Sequence, residues 1–182
     1  MSEDFTPEEN AEFIRLLKKV QHNDYWVPTL ETWQEVQRTF SRWAIELVII
    51  DQSQEKPRIL LSRYKQGGVP EHQGLFHING GFEKFSESIQ ESASRIAKDE
   101  LDIEVKCRDV VDVHKWTALE HPWGSRLLSL YILCEPLGEI KTSDETRYFT
   151  RDEMLALGPK DMALNHPHRI FADTYLRQLG SV

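Results

Sequence analysis

Cysteine is scarce in this chain: Cys107 and Cys134 are the only two in 182 residues, and they form no C-x-x-C spacing. A zinc site is therefore not expected, and both thiols, set in apolar strand-like segments, read as buried. Long apolar runs are missing too. None approaches the ~20 residues that span a bilayer. The opening MSEDFTPEEN is acidic and lacks the apolar core of a secretory signal. The expectation is a cytoplasmic protein with no membrane partner. Positive charge is in deficit, with 22 Lys and Arg against 30 Asp and Glu and a net charge of −8. A polymeric nucleic acid would usually call for the opposite balance, so that partner is not expected. A free nucleotide stays open, because a metal ion and a few arginines suffice to hold one. No repeat, low-complexity tract or linker is visible. The chain is 40% hydrophobic and 29% charged, which suits one domain with a sizeable core.

Thr6-Pro7-Glu8-Glu9 predicts a helix start, with Thr as N-cap, Pro at the first turn and Glu closing a capping box. Phe13, Ile14, Leu16, Leu17 and Val20 give that helix an apolar face. A second helix is predicted over Leu30–Phe40, with Trp33, Val36 and Phe40 on one side. These faces need cover, either their own domain or a second copy of the chain. Strands are predicted over Ala44–Ile50, Arg58–Tyr64, Val110–Ala118, Leu127–Glu135 and Arg147–Thr150. Glu46 interrupts the first of them. Thr150 and Glu153 form another capping box, and a last helix runs over His168–Gln178. His166 and His168 suit helix capping, with a metal pair as the alternative. The loop Glu120–Ser125 is either a surface hairpin or a wall of a sugar pocket.

The stretch Asn79–Ile103 reads NGGFEKFSESIQESASRIAKDELDI and carries the spacing G-x5-E-x7-R through Gly81, Glu87 and Arg95. Gly80-Gly81 permits a positive φ and close backbone approach, so a carbonyl there is able to face a ligand. Ser86 is the expected N-cap, and Ile89, Ala93, Ile96 and Ala97 recur at helical spacing. Glu87, Glu91, Arg95 and Asp99 fall on a polar i,i+4 stripe. Glu100 falls in the apolar sector, where a carboxylate either reaches water near the helix end or pairs with a metal ion or an arginine; Mg²⁺ takes oxygen ligands of this kind.

The stretch resembles a Nudix box, G-x5-E-x7-R-E-U-x-E-E-x-G-U with U aliphatic. Gly81, Glu87, Arg95, Glu100 and Ile103 match, and Asp99 is a conservative match. Ile96 replaces a metal-binding glutamate, Ala97 is small for U, and Asp102 replaces the final glycine. The family's GDP-mannose mannosyl hydrolase branch also carries an aliphatic residue at the Ile96 position. Similarity to that branch implies one Mg²⁺, or Mn²⁺, held by the Gly80 carbonyl and Glu100 with Asp99 nearby. It also implies substrate contacts from Trp33 and Glu46, and from Arg63 to the diphosphate if three residues are inserted before Gly80. The branch's Gln-His base segment is absent. An ungapped reading puts Thr142 and Ser143 there; Asp144 or Glu145 would substitute by a small shift, with His114, His121 and Glu120 as alternatives.

The resemblance implies a Nudix α/β/α sandwich with a mixed sheet, with 1–42 as an N-terminal helical extension and 43–182 as the Nudix domain. The implied activity is hydrolysis of a nucleoside diphosphate linked to another moiety, such as a nucleotide sugar. The alternative is a binding or regulatory module that has lost turnover. A homodimer, with Trp33 lining the partner's pocket, is also expected.

Overall fold

Strand β1 (Arg42–Val48) is buried on both of its faces, and its side chains divide this molecule's core in two. A computed structural model describes residues 5–22, 29, 31–32, 35, 41–64, 72–84, 87–117, 120, 127–163 and 166–181. The strands are β1 (Arg42–Val48), β2 (Ile50–Asp51), β3 (Arg58–Arg63), β4 (Phe76–His77), β5 (Gly80–Phe82), β6 (Val105–Lys115), β7 (Leu127–Pro136) and β8 (Thr146–Thr150). The helices are α1 (Pro7–His22), α2 (Ile89–Leu101), α3 (Arg151–Leu155) and α4 (Pro167–Leu179). On β1, Ile45 and Leu47 face one cluster and Val48 the other, as strand alternation requires.

Among the described residues these strands form two four-stranded sheets. The first runs β5-β1-β7-β6, with β1 and β7 parallel and the other pairs antiparallel. In the second, β3 pairs antiparallel with β8 and with both β2 and β4. Ala93, Ile96 and Ala97 of α2 close one core with Ile45, Leu47 and Ile132. Met154 of α3 and Phe171, Ala172 and Leu176 of α4 close the other with Val48, Ile59 and Tyr131. Helices therefore cover opposite sides of the β layer, the α/β/α arrangement expected.

The first capping box forms as read: Glu9 N–H donates to Thr6 Oγ1 (3.2 Å) and Thr6 N–H to Glu9 (2.8 Å). Phe13, Ile14 and Leu16 of α1 are exposed. The predicted second helix, including Trp33, lies largely outside the described residues. Thr150 and Glu153 cap α3 reciprocally. The strand predicted from Val110 to Ala118 instead begins at Val105 and ends at Lys115. Cys107 is only half-buried, while its cross-strand partner Cys134 is buried. Among the described residues no helix is long and apolar enough to cross a membrane.

Candidate active site

Helix α2 begins two residues after Glu87. Its N-cap is Ser88, whose hydroxyl accepts Glu91 N–H (3.3 Å) while Glu91 bonds back to Ser88 N–H (2.8 Å). Ser86, the expected cap, lies outside the described residues. Glu87 is thus not on the helical stripe; it reaches Arg95 from the preceding loop. Arg95 grips it with two bonds of 2.7 and 2.8 Å and holds the Phe82 carbonyl at 2.9 Å. Ser92 donates to the same carboxylate at 2.8 Å. The Arg95 guanidinium, aided by Ser92, draws the Glu87 carboxyl down to about 2. This clamp ties β5 to the start of α2. At the other end, Asp102 caps the helix in the left-handed region, at φ 56°. Aspartate tolerates that conformation, so it serves where glycine is commoner.

The two glycines work by lacking a Cβ rather than by positive φ; among the described glycines only Gly74 has one. A Cβ on Gly80 would lie 1.9 Å from Glu46 Oε2, and one on Gly81 would lie 3.3 Å from Ile96 Cγ1. Glu46 and Gly80 are register partners. The bond from Leu47 N–H to the Asn79 carbonyl (2.7 Å) makes the adjoining pair the bonded kind. Glu46 and Gly80 are then a non-bonded pair, and the Gly80 carbonyl turns outward from β1 along the edge strand. Ile96 is 2% exposed and belongs to the core.

Glu46 is a buried acid. Its Oε1 accepts the Ser129 hydroxyl (2.8 Å), which itself accepts Trp116 Nε1–H (2.8 Å). Burial pushes its carboxyl up to about 7, against the Ser129 bond. His168 Nδ1 accepts Ile78 N–H (3.2 Å), which assigns the proton to Nε2, 3.5 Å from Glu46 Oε2. His77 stacks on Tyr64 at 3.6 Å. Burial holds His77 and His168 down to about 3, so both are neutral at physiological pH. Burial and the nearby charges of Glu46 and Glu100 push the Tyr64 phenol up.

An ADP-ribose pyrophosphatase of Streptococcus suis superposes with a TM-score of 0.53 at 21% identity, over 77% of this chain and 92% of its own. A Nudix hydrolase of Nitrosomonas europaea gives 0.58 at 16% identity over 78% and 90%. The C. elegans Ap4A hydrolase gives 0.56 at 16% identity over 78% and 98%. The chain has the Nudix fold. No protein-family model matches it, and no curated protein matches its sequence.

On this fold the predicted site residues divide. Gly80 and Glu46 meet where β5 pairs with β1, and Glu100, half-buried, lies in the last turn of α2 beside the exposed Asp99. Arg63 closes β3, with its guanidinium held by Asp161 (3.0 Å) and the Gly74 carbonyl (2.5 Å), over the Phe76 ring. Asp144 is exposed in the turn before β8. Trp33 and His121 lie outside the described residues. Among the described residues no three His, Cys, Asp or Glu side chains converge as metal ligands. One outward carbonyl and one carboxylate suit a Mg²⁺ ion that keeps most of its waters. His77 and His168 escaped the sequence reading as members of this end of the fold. No spacing signal joins residues about 90 positions apart.

Proposed function

We propose that the chain is a Mg²⁺-dependent hydrolase of a nucleoside diphosphate linked to a second moiety, a nucleotide sugar such as GDP-mannose, with Mn²⁺ as a substitute ion. The observation that carries this reading is the Glu87–Arg95 clamp, which holds the outward Gly80 carbonyl beside the helix that bears Glu100. In this reading Gly80 and Glu100 hold the ion, with Asp99 nearby. When bound, the ion supplies charge neutralisation that makes the diphosphate a better leaving group. Arg63, fixed by Asp161, presents its charge to the diphosphate. Asp144 takes the proton of the attacking water. Glu46 and Trp33 contact the substrate's second moiety.

With Ile96 in place of an acid, the reading assigns a single ion and attack at the anomeric carbon rather than at phosphorus. Hydrolysis of a nucleotide sugar in ¹⁸O-labelled water tests it: the label is expected in the sugar, and label in phosphate would overturn it. The burial of Ile96 in the core also favours a second reading, a nucleotide-binding module without turnover. Binding of nucleotide sugars with no product over a broad substrate panel would establish that one instead.

A further inference from the structure

The chain's two cysteines are remote in sequence, yet the β6–β7 register makes Cys107 and Cys134 direct cross-strand partners. Their backbones are not bonded to each other. Cys107 N–H donates instead to Gln90 Oε1 of α2 (2.9 Å), and the Gln90 amide donates to the Val105 carbonyl (3.0 Å). Both backbone groups therefore point outward, away from β7, and the cysteines form the non-bonded kind of antiparallel pair. In such a pair the Cα atoms lie about 4.5 Å apart and the side chains approach most closely. A disulfide spans about 4.4–6.8 Å between Cα atoms, so the backbone already suits one. The two thiols are hydrogen-bonded to each other. Burial pushes both up from the ordinary thiol value, and the mutual bond lowers Cys107 and raises Cys134. Cys107 is thus the more acidic of the two. It is also the one within reach of solvent, being half-buried, whereas Cys134 is 3% exposed and packs in the core with Ile96 and Ala97 of α2.

We infer that Cys107 and Cys134 are a redox-active dithiol, converted to an intrachain disulfide by a small-molecule disulfide such as oxidised glutathione. Cys107 loses its proton to solvent, and its thiolate attacks one sulfur of the small disulfide. A mixed disulfide forms and one small thiolate leaves. Cys134 then loses its proton and attacks Cys107 Sγ, which breaks the mixed disulfide and expels the second small thiolate. The two thiolates take up the two protons. One protein dithiol and one small disulfide give one protein disulfide and two small thiols, so the two-electron oxidation of the protein matches the reduction of the reagent. The thiolate is the nucleophile, so the raised thiols make the exchange slow near neutral pH and faster as pH rises. The inference goes beyond the proposed hydrolysis and stands without it, because neither metal nor nucleotide enters its test.

Redox titration of the full chain in mixtures of reduced and oxidised glutathione at mildly alkaline pH provides that test. Equilibrium is approached from the reduced and from the oxidised chain, and acid quenching, alkylation and intact mass count the free thiols. The folded chain is expected to lose two hydrogens and carry no alkylated thiol, and dithiothreitol should return both thiols. The equilibrium constant for ring closure is expected to be at least about tenfold larger in the folded chain than in urea, because the strand register holds the two sulfurs together. Cys134→Ala is expected to stop at a single glutathione adduct on Cys107. Cys107→Ala is expected to stay unmodified while folded, because the remaining thiol is buried. The comparison of folded and urea-unfolded parent decides alone if either variant fails to fold. A constant no larger in the folded chain than in urea would overturn the inference. So would a parent chain that holds glutathione adducts without closing the ring, or a disulfide found only between two chains.

Discussion

Gly80→Ala probes the closest packing at the candidate site. The added Cβ would stand 1.9 Å from Glu46 Oε2, 2.8 Å from its Cδ and 2.9 Å from the Ile45 carbonyl oxygen. The carboxylate has to move, and its bond from Ser129 goes with it. Overpacking of this kind costs roughly 1–3 kcal/mol. The lost hydrogen bond adds about 1 kcal/mol, and alanine recovers about 0.5–1 kcal/mol of backbone entropy. The net is a loss of about 1–3.5 kcal/mol, or roughly 2–14 °C in Tm for a chain of this size. Urea denaturation of a double-mutant cycle separates the causes. In a Glu46→Ala background the colliding group is gone, while the Ile45 contact is common to both arms and cancels. The coupling is expected at about 1–2 kcal/mol. Gly81→Ala, which meets only the flexible Ile96 side chain at 3.3 Å, should cost less than Gly80→Ala. Equal penalties for Gly80→Ala in both backgrounds would refute the claim that Gly80 exists to admit the Glu46 carboxylate.

Two further perturbations follow from the clamp and the core. The folded-state carboxyl of Glu87 is depressed, so its stabilisation is fully present above the unfolded value of about 4.5 and is lost as pH falls toward about 2. Urea midpoints between pH 6 and 2 should show a loss on the order of 1–3 kcal/mol across that window, and Glu87→Gln should flatten it; an unchanged slope in the variant would contradict the assignment. Ile96→Glu, which puts an acid into this core position, should destabilise the chain by more than about 2 kcal/mol, because the position is 2% exposed. A variant as stable as the parent would show that this side chain has an exit to solvent.

Local signals were legible in the sequence, and long-range ones were not. The helix ends follow rules three residues long, so Thr6–Glu9 and Thr150–Glu153 were read correctly. The same rule points to Ser88–Glu91, a pattern overlooked in favour of Ser86. Periodicity placed α2 and the buried Ala93, Ile96 and Ala97, whereas Ile89, read on the same face, is exposed and Ser92 is buried instead. Gly80 makes the close approach expected but without a positive φ, and the group it admits, Glu46, was not foreseen because it lies 34 residues away and opposite only through the β1–β5 register. The Glu46–His168 approach and the stacking of His77 on Tyr64 depend likewise on how α4 and β4 return to β1 and β3. Arg63 read as a diphosphate contact from its match to the resembled branch; the partners that fix it, Asp161 and the Gly74 carbonyl, lie on loops that no local pattern joins to it.

The central claim is that Gly80 and Glu100 hold a catalytic cation. Calorimetric titration of Mg²⁺ or Mn²⁺ into the parent chain and Glu100→Gln, with folding checked by circular dichroism, tests it most directly. The account predicts saturable binding by the parent and at least about a tenfold loss in the variant, with the fold intact. Unchanged metal affinity in a normally folded Glu100→Gln protein would contradict it.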